Sequence, residues 1–279
     1  MRREWYRQGQ PLLEEIRSTA VSENEIAFWY LGQCGFAFKT DRVVYIDPML
    51  NDLRDRNGNP HRHYDSPFSP SAVEADYVIC THNHADHLAP ETLSAIASHD
   101  SHTRFVVPSG LTAVLEGLGI ARERIVPVSA GVPVRLDGLT VTGISAAHPD
   151  HQVDADGNDL ALSYQLQLGG TTILHLGDTY LTEQLLNDLQ KLPSPDLFFP
   201  PINGGDFFRT RRACIGNLNF NEAAELARIL DADLTIPTHF DMVTGNTVNP
   251  LWFIQTFMDV NPSKKWHIPA LGERFFYHR

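Results

Sequence analysis

"THNHADHL", residues 81–88, packs His82, His84, Asp86 and His87 into six consecutive positions in the pattern H-x-H-x-D-H. It follows "ADYVIC" (75–80), a short continuous apolar run of the kind that forms a strand buried on both faces. It precedes "APETLSAIASH" (89–99), where Leu93, Ile96 and Ala97 have helical spacing and Pro90 sits in the first turn. The cluster therefore belongs to a strand-to-helix loop. A merely solvated histidine-rich loop needs no partners elsewhere in the chain, whereas a metal site does.

Partners stand at other strand ends. His148 follows "VTGISAA" (141–147), Asp178 follows "TILHLG" (172–177), His239 follows "LTIPT" (234–238) and Asp47 follows "VVYI" (43–46). Ligand sites in α/β architectures collect at such ends, where loops from distant parts of the chain converge. Each residue also has a plainer reading. His151 competes with His148, Asp178 suits a helix N-cap, and His239 suits a satisfied core position. His175 reads as structural, and His99, His102, His267 and His278 as surface residues. Taken jointly, the strand-end positions favour a metal site.

Neutral imidazole and carboxylate suit zinc, manganese or iron, and a catalytic site keeps a position open for water. Bound water then loses a proton near neutrality, so no protein nucleophile is required. There is no G-x-S-x-G elbow to support acyl transfer by a serine triad. Cys34, Cys80 and Cys214 are too few and too scattered for a disulfide framework.

The remaining chain alternates strands and helices. "IAFWYLG" (26–32), "GFAFKT" (35–40) and "RVVYID" (42–47) read as a meander, with Phe28, Trp29 and Tyr30 in its core. Residues 49–71 are polar and aperiodic, as functional loops often are. "RFVVP" (104–108) predicts a strand and 109–119 a helix, with Ser109 as cap and Gly119 as stop. Asp137-Gly138 and Gly169-Gly170 each mark a hairpin. Helices follow at 181–192, 221–231 and 250–259, with strands at 233–239 and 273–278. Strands before helices, twice over, predict one domain across 1–279 made of two βα halves, about 1–130 and 131–279.

With 42% apolar and 20% charged residues in 279, a substantial core is expected. The net charge of −12 argues against nucleic acid or an anionic membrane as partner. No apolar run is long enough for a membrane span, and the first twenty residues lack a secretory signal, so a cytoplasmic location is expected. A homo-oligomer is compatible with all of this. Against the acidic background, "NGGDFFRTRRACIGN" (203–217) carries Arg209, Arg211 and Arg212, suited to an anionic substrate. A charged surface loop with one arginine paired to Asp206 is the competing reading. His61, Arg62 and His63 are weaker candidates for the same role.

The series His82, His84, Asp86, His87, His148, Asp178, His239, with Asp47 ahead of it, resembles the motif series of the metallo-β-lactamase superfamily. The resemblance implies a four-layer αββα sandwich of two mixed β-sheets with helices outside, and one or two divalent ions. It implies that His82, His84 and His148 hold the first ion, and that Asp86, His87 and His239 hold the second. Asp178 would bridge them, and Asp47 would orient a ligand without touching metal. "FWYLGQCGFAFKT", "CTHNHADHL", "LHLGDTY" and "PTHFDM" further resemble the L-ascorbate 6-phosphate lactonase-like hydrolases. That implies opening of a lactone of a small phosphorylated sugar acid, with Asp178 and Asp86 catalytic and Asp86 handling the water if one ion is bound. The alternatives are a phosphodiesterase or nuclease of the same superfamily, or a non-catalytic metal-binding protein.

Overall fold

The computed structural model describes residues 3–55, 57–212 and 214–279; Arg56 of the long loop and Ala213 of the arginine-rich stretch lie outside the described residues. β1 (Glu25–Gly32), β2 (Gly35–Lys39) and β3 (Val43–Ile46) form the expected antiparallel meander, with Trp29 opposite Ala37 and Phe38 opposite Val44. β4 (Tyr77–Ile79), β5 (Arg104–Pro108) and β6 (Ile125–Val128) extend it in parallel. β6 was not expected because Pro127 interrupts its sequence. It occupies the sheet edge, where a missing N–H costs no ladder bond.

The second sheet is built the same way. β7 (Val134–Leu136), β8 (Leu139–Ser145), β9 (Leu162–Leu168) and β10 (Thr171–His175) are antiparallel. β11 (Leu197–Phe199), β12 (Leu234–Thr235) and β13 (Lys265–Trp266) add in parallel. Gly169 and Gly170 both adopt positive φ in the β9–β10 turn, as a tight hairpin requires. The final strand, β14 (Arg274–His278), returns to the first sheet and pairs with β1, so a division at residue 130 separates the sheets except for this strand.

Parallel neighbours need crossovers, and helices supply them. α1 (Gln10–Ser18), α2 (Pro90–His99) and α3 (Thr112–Gly117) accompany the first sheet. α4 (Glu183–Leu189), α5 (Phe207–Arg211), α6 (Phe220–Ile229) and α7 (Pro250–Val260) lie along the second half. Alternation along β1 shows the layering. Ile26, Phe28 and Tyr30 join the inter-sheet core, while Ala27, Trp29 and Leu31 meet the layer of α1 and α2. Phe199 of the second sheet packs edge-on against Phe36 and Phe28 of the first, with ring centroids 4.7 and 5.9 Å away. Each such buried phenylalanine stabilises the sandwich by roughly 1.5–3 kcal/mol. The architecture is the αββα sandwich expected.

Some local expectations fail for identifiable reasons. Ser109 caps nothing: residues 109–111 form a 3-10 turn, and α3 begins only at Thr112. Asp178 is not the cap of α4; Thr182 is, accepting from Leu185 N–H. α1 carries only three buried positions, Leu12, Leu13 and Ile16, too few to stand out in the sequence. Among the described residues, no helix is long and apolar enough to cross a membrane.

Candidate metal centre

Every residue of the series lies just beyond the C-terminal end of a strand: Asp47 after β3, 82–87 after β4, His148 after β8, Asp178 after β10 and His239 after β12. The side chains meet. His82, His84, His148 and Asp178 form one group, and Asp86, His87 and His239 another, each with its ligand atoms within 4.8 Å of one another. In the first, His82 Nε2 is 2.9 Å and His148 Nε2 3.2 Å from His84 Nδ1. In the second, His87 Nε2 and His239 Nε2 each lie 3.6 Å from Asp86 Oδ2. Asp178 touches both groups: its oxygens stand 3.5 Å from His148 Nε2, 3.3 Å from His87 Nε2 and 3.0 Å from His239 Nε2. Donors held about 2.1 Å from one tetrahedral ion would themselves be about 3.4 Å apart, close to these separations.

Orientation comes from behind. Asp47 accepts from His87 Nδ1 at 2.7 Å and from the Thr81 N–H and hydroxyl, both at 2.8 Å. This fixes the His87 tautomer and leaves its Nε2 facing the centre, fully buried and without a hydrogen bond. This buried nitrogen faces both Asp86 and Asp178, and the imidazole-carboxylate donors around it fit a divalent first-row metal. The backbone is bent for the purpose. Asp47 and His239 take left-handed φ values of 43° and 56°, which non-glycine residues adopt at a cost. Gly177 has to be glycine, since a Cβ there would meet the Thr81 side chain at 2.7 Å.

Charge divides the two groups. Burial, reinforced by neighbouring imidazoles, lowers His82 well below the ordinary histidine value and His148 to about 4, against the pull of Asp178. Burial opposes protonation of His87 and His239 as well, but the carboxylates outweigh it; His87 rises well above its ordinary value and His239 to about 9. Burial raises the Asp178 carboxyl, yet His239 and His87 hold it well below the usual range.

The alternative ligand is excluded by position. His151 hydrogen-bonds Ser145 Oγ at 3.1 Å and Thr182 Oγ1 at 3.0 Å, outside both groups. His175 is structural, its Nε2 2.9 Å from the Cys34 carbonyl. His278 is at the surface as expected, facing Glu25 at 3.1 Å, whereas His267 is half-buried and faces Glu273 at 3.2 Å. Arg209 is already engaged: it pairs with Asp206 at 2.5 Å and donates to Asn203 O and Asn246 Oδ1, so the plainer reading holds for it. Arg211 and Arg212 are exposed, Arg211 over the Phe207 ring. What this stretch brings to the open cleft of about 240 Å³ beside His82, His84 and His148 is Ile215. Arg62 is a structural strut, donating to Asn51 O at 2.7 Å.

Two participants went unread in the sequence. Gln33, in the β1–β2 turn, places its amide nitrogen 2.9 Å from both Asp86 Oδ2 and His239 Nε2. Cys34 holds its Sγ 3.9 Å from Asp178 Oδ1. The available signal was a polar residue in "GQCG" at the site end of a strand pair otherwise made of buried aromatics.

The family model described as Beta-lactamase superfamily domain matches residues 42–240. A UPF0173 metal-dependent hydrolase of Archaeoglobus fulgidus is 26% identical over 218 residues, covering 76% of this chain and 82% of the relative. Among solved structures, the isothiocyanate hydrolase from Delia radicum gut bacteria superposes with a TM-score of 0.71 at 17% identity, over 90% of this chain and 99% of that one. Igni18, a metallo hydrolase from Ignicoccus hospitalis, gives 0.69 at 18%, over 91% and 99%. The two structures speak for the fold alone. With its matched region spanning most of the chain and containing Asp47 and all seven candidate ligands, the protein belongs to the metallo-β-lactamase superfamily of metal-dependent hydrolases.

Proposed function

We propose that this centre holds two divalent ions, zinc or manganese, and opens a lactone of a small, phosphorylated sugar acid. The observation that carries the hydrolytic reading is Asp178, one carboxylate within 3.5 Å of histidines from both groups. Ions bound there would supply an activated water and polarise the substrate carbonyl. Water adds to the carbonyl carbon, the ring C–O bond breaks, and the departing oxygen takes up a proton. Asp86 stays ionised, its carboxyl held far below its ordinary value with burial opposing and His87 and His239 prevailing, so it would serve as a ligand when two ions are bound and would position the water if only one is. The cleft of about 240 Å³, lined in part by Leu111, Leu160 and Ile215, suits a small ring rather than a polymer. Arg211 and Arg212, at the C-terminal end of α5 and a few residues before Ile215, are the proposed partners of the phosphate. The sequence resemblance to the lactonase-like hydrolases supports the substrate class.

The test sets the zinc- or manganese-loaded protein against a panel of lactones with and without phosphate, and against bis(p-nitrophenyl) phosphate. Lactone opening should exceed phosphodiester cleavage. Asp178→Asn and His84→Ala should each lose at least about a hundredfold in kcat/KM with the fold intact. Dominant phosphodiester cleavage would replace the lactonase by a phosphodiesterase. Silence across the panel in a metal-loaded sample would leave a non-catalytic binding protein.

A further inference from the structure

Gln33 lies in the tight turn between β1 and β2 and is fully buried. Its backbone is pinned from three sides. The N–H donates to Asp241 Oδ1 at 3.3 Å, and the carbonyl accepts from the His239 N–H at 3.0 Å and from the Tyr30 hydroxyl at 3.4 Å. Asp241 is in turn held by Tyr64 at 2.8 Å and Arg3 at 2.5 Å. The residue adopts φ 58°, a conformation that costs free energy for any side chain with a Cβ. Such fixing is excessive for a spacer. It delivers one carboxamide into the space between Asp86 and His239, the half of the centre beside His87.

The carboxamide as placed cannot serve an ion, because Nε2 faces Asp86 and His239 while Oε1 is buried without a partner. An N–H does not ligate, and an unpaired buried acceptor costs about 1–3 kcal/mol. Nitrogen and oxygen of an amide exchange places by rotation about the last side-chain bond, with almost no change in shape. The geometry points to Gln33 as an oxygen ligand of the Asp86–His87–His239 half-centre, its Oε1 turned to the ion. This rests on the proposed two-ion reading and goes past it by assigning the half-centres different ions. The first half-centre offers three imidazoles and Asp178, a set suited to tetrahedral zinc. With Gln33, the second offers two imidazoles and three oxygens, from Asp86, Asp178 and the amide. That set suits a six-coordinate ion such as Mn²⁺.

The experiment titrates metal-free full-length protein with Mn²⁺ and separately with Zn²⁺, reading stoichiometry and affinity by calorimetry and the Mn²⁺ environment by electron paramagnetic resonance. Wild type, Gln33→Leu and Gln33→Glu are compared, with thermal unfolding of each metal-free variant as the check on packing. Gln33→Leu should weaken Mn²⁺ at the second half-centre by about tenfold or more and alter its spectrum, while Zn²⁺ affinity changes less than about twofold. Gln33→Glu, which returns an oxygen, should restore Mn²⁺ binding. Wild-type Mn²⁺ affinity in Gln33→Leu, or equal loss of both metals, would overturn the role of Gln33 while leaving the two-ion centre standing. A wild type that takes up no ion would defeat both.

Discussion

The two halves of the centre are built from the same residue types and prepared in opposite ways. His82, His84 and His148 face one another with a single carboxylate nearby, and burial keeps His82 and His148 neutral at pH 7. His87 and His239 sit between Asp86 and Asp178, which draw a proton onto each ring when no ion is present. The first half is therefore ready for a cation, while the second exchanges protons for one. The difference lies in where the carboxylates fall, not in the histidines. Asp178 belongs to both halves, so it is the place where their independence should fail.

The largest effect is expected there. Asp178→Asn should weaken both ions together and reduce hydrolysis by at least about a hundredfold, whereas His84→Ala should release only the first ion. Metal analysis after dialysis separates the two outcomes. Asp47→Ala should act mainly on the second side, since Asp47 orients His87 directly and reaches His82 only through the Thr81 hydroxyl. Affinity for the second ion should fall about 10–100-fold with the first little changed, read by competition with a chromophoric chelator.

Protonation sharpens the contrast further. His239 is raised to about 9, so binding at the second half should strengthen by about tenfold per pH unit between 7 and 9 for each proton displaced. Binding at the first half should be nearly flat across that range. Stability of the metal-free protein obeys the same signs. The contribution of His239 is complete below the free histidine value of about 6.5 and is lost as pH rises through about 9. That of His148, whose folded value is about 4, is present above about 6.5 and is lost as pH falls through about 4. Thermal unfolding after chelation, followed from pH 3 to 10, measures both. The smallest effect concerns the proposed phosphate partners: Arg211→Ala with Arg212→Ala should raise KM for a phosphorylated lactone by about tenfold and leave its unphosphorylated analogue unchanged.

Most of the centre was legible because its ligands sit at strand ends, and strand ends are what apolar runs mark most clearly in a sequence. "DYVIC", "TILHLG" and "LTIPT" each announce where the chain emerges from the core, and a candidate ligand follows within two residues. Gln33 escaped because "GQCG" reads as turn chemistry between aromatic strands, and only the folded positions of Asp86 and His239 give its amide a task. Asp241 was masked by His239 two residues earlier, although it anchors Tyr30, Tyr64 and Arg3. The arginines show a different limit. For Arg209 the sequence left substrate capture and pairing with Asp206 both open, and in the fold Asp206, three residues before it, caps α5 and takes its guanidinium as well. β6 illustrates a further limit: the pattern of "RIVPV" is broken by Pro127, and only the sheet order shows that an edge tolerates it.

Anomalous diffraction across the manganese and zinc edges, from crystals of the protein supplied with both metals, tests the shared carboxylate most directly. The account predicts two peaks, one on each side of Asp178, with zinc toward His148 and manganese toward His239. A single peak, or two peaks of which Asp178 contacts neither or only one, would contradict it.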